Sequence, residues 1–157
     1  QTDHRHINTE SDSEVLLNVL AHEIEKSTRG VPLQVEDVFK AVRAVHKRIK
    51  GSYAVISLIA GHGLLAFRDP FGIRPLCIGR NADGAFMVAS ESVALEGAGF
   101  VFERDVAPGE AVFVTLDGQL HSQQCADAPQ HYPCVLSLFT SRGPTRSWTA
   151  SRSTRRA

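Results

Sequence analysis

A chain of 157 residues, 43% of them hydrophobic, carries enough apolar material for one domain with a core. Its 17 basic and 17 acidic side chains cancel overall but leave a short basic tail, which reads as solvated rather than as a nucleic-acid surface, and its longest apolar stretch, Tyr53–Ala60, is too short to span a bilayer. The three cysteines, Cys77, Cys125 and Cys134, are loosely spaced with no CxxC pair, which argues against a disulfide framework or a self-contained zinc site and suits a reducing, cytosolic compartment.

The polar opening segment carries His4 and His6 around Arg5, which reads as a surface loop rather than a metal pair. Ser11 and Glu14 then have capping-box spacing, where each side chain satisfies an orphan backbone N–H of a helix start. Val15, Leu16, Val19, Leu20 and Ile24 follow as one apolar stripe at helical spacing, until Gly30-Val31-Pro32 breaks it. A second helix is predicted from Glu36 to Lys50, with Val38, Val42, Val45 and Ile49 on its apolar face and Gly51 as its stop. Its acids lie in the first turn and its bases in the last, the polarity that suits the helix dipole.

After Gly51 the texture becomes short, β-rich runs: Tyr53–Ala60, Leu64–Arg68, Pro75–Ile78 and Ala85–Ala89. A short helix is predicted at Ser92–Gly97, then strands at Phe100–Arg104 and Ala111–Thr115, with Asp117-Gly118 as a hairpin turn. Two helices followed by a meander of strands point to an α+β fold with mostly antiparallel pairing. From Leu136 to Ala157 there are five arginines and no other charged residue, and Ser, Thr and Arg dominate. Such a segment buries too little apolar surface to offset its ordering entropy, so a disordered tail is expected over 135–157. The chain opens on Gln1 and its sole methionine is Met87, so it reads as a fragment or a processed product.

Five segments stand out: HINTESDSE from His6 to Glu14, AFRDPFGIRPL from Ala66 to Leu76, MVASESVAL from Met87 to Leu95, RDVAPGE from Arg104 to Glu110, and QCAD from Gln124 to Asp127. In this order they closely resemble the glutamine phosphoribosylpyrophosphate amidotransferase family, over about residues 4–134. The RDPFGIRPL segment alone is shared with other class II amidotransferases such as asparagine synthetases. The segments around Asn8–Glu14 and Ser90–Leu95 argue against that alternative. A non-catalytic binding module that keeps the fold is a third reading.

The resemblance implies the later part of an Ntn-hydrolase αββα sandwich over residues 1–134, with the front portion missing. It implies a parent enzyme that transfers the amide nitrogen of glutamine to phosphoribosyl pyrophosphate, giving 5-phosphoribosylamine, glutamate and pyrophosphate. The expected partners are glutamine and phosphoribosyl pyrophosphate, without nucleic acid or membrane. The parent is expected to be a cytoplasmic homo-oligomer. In this family the nucleophile is an N-terminal cysteine whose α-amine is the base; none of the three cysteines here is N-terminal, so no catalytic residue is expected in the chain and the isolated polypeptide is expected to be inactive. By spacing alone Asp12 reads as serving the helix N-terminus; the resemblance reverses this, since Asp12 matches the family's aspartate for the α-ammonium of glutamine.

Arg68, Asp69 and Arg74 are assigned to turn chemistry and an internal ion pair, and Ser90 and Glu91 likewise to structure. Cys134 matches an iron–sulfur ligand of some family members, but no metal or cofactor is expected in this chain; Mg2+ is expected only for the parent's phosphoribosyltransferase domain. After Cys134 the family continues with a segment like FEYVYFARPDSF. Read one base earlier from Thr140, one permitted back-translation of this chain gives YFARPDSFMDGISVYKAR. The hypothesis is a one-base deletion near codon 136, and an intact frame on resequencing the locus would rule it out.

Overall fold

The computed structural model describes residues 12–28, 32–130 and 132. Helix α1 spans Asp12–Thr28 and α2 spans Val35–Arg48. In α1 the buried stripe is Leu16, Val19 and Leu20, with Ile24 packed at its margin. Val15 stands 43% exposed, so it lies off the stripe to which the sequence assigned it. The capping box at Ser11 falls outside the described residues, but α2 has one of its own kind: the Gln34 N–H donates to Asp37 Oδ2 at 3.3 Å. Helix α2 buries Val38, Phe39, Ala41, Val42 and Val45, each apolar side chain of Val or Phe size contributing about 1.5–3 kcal/mol. It stops short of the expected Lys50, because Ile49 is already extended as the C-cap, its N–H donating to Val45 O at 2.8 Å.

Seven strands follow: β1 Ala54–Ile59, β2 Gly63–Arg68, β3 Cys77–Arg80, β4 Phe86–Ala89, β5 Val101–Asp105, β6 Glu110–Thr115 and β7 Leu120–Gln124, with helix α3 at Ser92–Gly97 before β5. One sheet has the order β1-β2-β6-β7 and the other β4-β3-β5, and every pairing is antiparallel. Strand β3 begins two residues later than the sequence suggests, since Leu76 already accepts from Val106 N–H outside the ladder. Strand β7 carries no apolar run and is visible in sequence only through the Asp117-Gly118 turn.

Alternation along the strands builds the layers. Leu65 and Phe67 of β2, with Ala111 and Phe113 of β6, face α1 and α2 in one core. Ala66 and Val112, one residue out of phase, face Leu76, Ile78, Val88 and Val106 in a second core between the sheets. Behind the smaller sheet, Leu95 of α3 packs on Cys77 and Ala89. Gly79 makes room there: a Cβ on it would sit 2.9 Å from Val101 O and 3.0 Å from a Leu95 methyl. The succession is helices, sheet, sheet, helix, the αββα arrangement expected from the sequence.

Candidate substrate-binding site

Asp12 is the first residue of α1. Its side chain is outside what the structure describes, but the backbone that presents it is fixed by the helix. Leu16, Val19 and Leu20 anchor that helix in the core, and Arg48 of α2 reaches Glu23 at 2.8 Å near its far end. A carboxylate at a helix start is favoured by the unpaired N–H groups and the dipole, and it is also suited to a ligand ammonium.

Arg68 ends β2 and Asp69 opens the turn that leads to β3. Asp69 is fully buried, and its carboxylate accepts from the N–H groups of Phe71 at 3.0 Å, Ile73 at 3.3 Å, Arg74 at 3.3 Å and Tyr53 at 3.4 Å. The Arg68 guanidinium donates to three carbonyls: Arg74 O at 2.5 Å, Gly72 O at 2.7 Å and Val106 O at 2.8 Å. The structural assignment of this cluster fits the geometry, with the hydrogen bonds of both charged groups going to the main chain: those of Arg68 to carbonyls, those of Asp69 from N–H groups. A guanidinium–carboxylate pair lies elsewhere: Glu110 holds Arg104 in two bonds of 2.7 and 2.9 Å and also accepts Ala107 N–H at 2.7 Å.

Cys77 and Cys125 are buried free thiols. Burial pushes each up to about 11, so neither supplies a thiolate near neutral pH. Cys134, His4 and His6 lie outside the described residues. Among the described residues no three His, Cys, Asp or Glu side chains gather as a metal site, and no helix is long and apolar enough to cross a membrane.

Sequence reasoning missed one polar centre. His46 Nδ1 lies 2.8 Å from Tyr53 Oη and its Nε2 lies 3.2 Å from Gly109 O. Tyr53 stacks on the imidazole at 5.9 Å and Phe67 meets it edge-on at 5.9 Å. No spacing rule joins residues 46, 53 and 109, which only the folded chain brings together. An open cavity of about 280 Å³ adjoins it, walled by Lys47, Lys50, Phe71, Cys125 and Asp127 among others.

A family profile described as a glutamine amidotransferase domain matches residues 1–97. The chain is 51% identical over 139 residues to an amidophosphoribosyltransferase of Haemophilus influenzae, covering 87% of this chain and 27% of the relative. It is 53% identical over 136 residues to that of Escherichia coli, covering 84% and 27%, and 50% identical over 115 residues to that of Saccharomyces cerevisiae, covering 71% and 22%. The fold matches the solved glutamine phosphoribosylpyrophosphate amidotransferase of B. subtilis complexed with ADP and GMP, with a TM-score of 0.66 and 27% identity, over 83% of this chain and 26% of that one. The chain thus spans 27% of the length of the curated bacterial relatives it matches.

Proposed function

The chain belongs to the glutamine amidotransferase domain family, and from that premise we propose that residues 1–134 are the later part of the glutaminase domain of an amidophosphoribosyltransferase. The observation that carries this is identity above 50% to such enzymes over more than four-fifths of the chain. The parent reaction takes ammonia from glutamine and places it on C1 of phosphoribosyl pyrophosphate, releasing pyrophosphate and leaving glutamate.

Within that reaction this chain holds glutamine. The Asp12 carboxylate takes the α-ammonium through charge-assisted hydrogen bonds, which selects an amino acid over a simple amide. Amide hydrolysis needs a thiolate, a base and an oxyanion hole. Cys77 and Cys125 are too buried to supply the first. The magnesium ion of phosphoribosyl transfer has no fitting set of ligands among the described residues, and no step here passes through it. The parent is a cytoplasmic homo-oligomer in this reading. Residues 135–157 are a frame-shifted tail, which resequencing the locus tests.

Asp12→Ala in the complete enzyme is the direct test of the site. We expect KM for glutamine to rise tenfold or more, about 1.4 kcal/mol of lost binding. The reaction driven by free ammonia, which has no α-ammonium to hold, is the control. An unchanged KM would remove Asp12 from the substrate site.

A further inference from the structure

We propose that the cavity at the end of α2, with the exposed ring pair of Phe71 and Tyr132, is a seat for polypeptide of the parent enzyme outside residues 1–134. That polypeptide inserts an apolar side chain with a carboxylate beside it. The seat rests on the proposed function, since only a longer parent supplies its occupant.

The way the chain leaves β7 builds one wall. The Gln124 side chain braces the exit, its Nε2 donating to Pro108 O at 2.9 Å and its Oε1 accepting from Ala126 N–H at 2.9 Å. Cys125 is buried, and its N–H donates to Gly109 O at 3.0 Å. Gly109 has a φ of +73°, and a Cβ on it would lie 2.4 Å from Ala126 Cβ, so only glycine permits this crossing. Further on, Gln130 N–H donates to Pro70 O at 2.9 Å and Tyr132 N–H donates to Phe71 O at 2.7 Å. The chain is thus bonded along the Pro70–Phe71 turn, yet Asp127, Ala128, Pro129, Gln130 and Tyr132 are all exposed. Main-chain bonds and not burial hold this stretch, and its outer side is bare.

The open cavity of about 280 Å³ lies between this stretch and the end of α2. Ile49, Pro70, Phe71, Ala126 and Ala128 give it an apolar lining. Small-molecule sites occupy roughly 300–1,000 Å³, so a smaller and open hollow suits inserted side chains better than a whole ligand. At the rim Lys47 is matched by Asp127 at 3.3 Å. Lys50 has no ion pair among the described residues, and there the occupant's carboxylate belongs. Phe71 is 39% exposed and Tyr132 59%, with ring centres 6.4 Å apart. Exposed aromatic rings beside an apolar hollow are the composition of an interface core.

The occupant follows from the length of the relatives and from where the described chain stops. The chain spans 27% of its bacterial relatives, and its last described residue, Tyr132, stands against Phe71 of the seat. A segment of the same polypeptide meets the seat at an effective concentration of about a millimolar for a short flexible link, which a separate molecule does not reach.

The test is photocrosslinking in the complete enzyme, with benzoylphenylalanine replacing Phe71 and, in a second variant, the exposed Lys50. Products are mapped by mass spectrometry, and glutamine turnover of the unsubstituted enzyme is measured beside them. We expect crosslinks from either position to residues outside 1–134 of the same polypeptide. Lys50→Glu, combined with the probe at position 71, sets a like charge against the occupant's carboxylate and should cut their yield about threefold or more. Crosslinks confined to residues 1–134, or reaching a second subunit, would overturn the seat, and an unchanged yield in Lys50→Glu would overturn its carboxylate. Turnover of glutamine without the expected crosslinks counts against the seat alone. Crosslinks in an enzyme that does not turn over glutamine count against the proposed function alone.

Discussion

Arg68 and Asp69 are neighbours of opposite charge that send their hydrogen bonds to different partners. The aspartate caps four N–H groups while the arginine clamps three carbonyls, so together they replace a stretch of secondary structure with side-chain bonds. The turn's role was legible because Asp-Pro and Gly-containing runs favour turns. The identity of the acceptors was not, since Val106 is 38 residues from Arg68. Asp69→Asn keeps the shape but brings an NH2 group against donors. We expect it to cost about 2–3 kcal/mol in urea denaturation, whereas Asp127→Asn, on an exposed ion pair with Lys47, should cost well under about 1 kcal/mol. Asp12 is the opposite kind of residue: its position on α1 is structural, and its proposed role comes from the family resemblance rather than from any spacing.

The helices and the central strands were readable because periodicity maps directly onto burial. Val38, Val42 and Val45 recur at helical spacing and are all fully buried, while Leu65 and Phe67 alternate with residues facing the other sheet. Strand β7 was not, because LHSQQ has no apolar face of its own and is held by its ladder to β6. Helix α3 rests on one side chain, Leu95, wedged where Gly79 has none. Leu95→Ala should therefore destabilise by about 2–5 kcal/mol. Its effect should be regional: amide exchange should speed in β3 and β4 before β2 and β6. A uniform rise across both sheets would show that α3 is coupled to the whole core.

At the scale of the molecule, four layers agree with the αββα expectation, but the inner face of the large sheet is unevenly covered. Ile56 and Leu58 of β1 pair with Ala66 and Leu64, which belong to the inter-sheet core, yet stand 47% and 73% exposed. In the other sheet Val101 of the edge strand β5 is 73% exposed. A free strand edge beside an apolar shelf invites association. The chain expressed alone should self-associate with rising concentration, and Leu58→Lys should reduce this in sedimentation; equal behaviour of the two would place the sticky surface elsewhere.

In the proposed function this stretch is a working part of a glutamine-fed phosphoribosyl transfer enzyme. Grafting residues 4–134 in place of the matching stretch of the E. coli enzyme, to which the chain is 53% identical, tests that claim directly through pyrophosphate release. We expect the chimera to run on glutamine as well as on free ammonia. A folded chimera that runs on ammonia but neither hydrolyses nor binds glutamine would contradict the assignment.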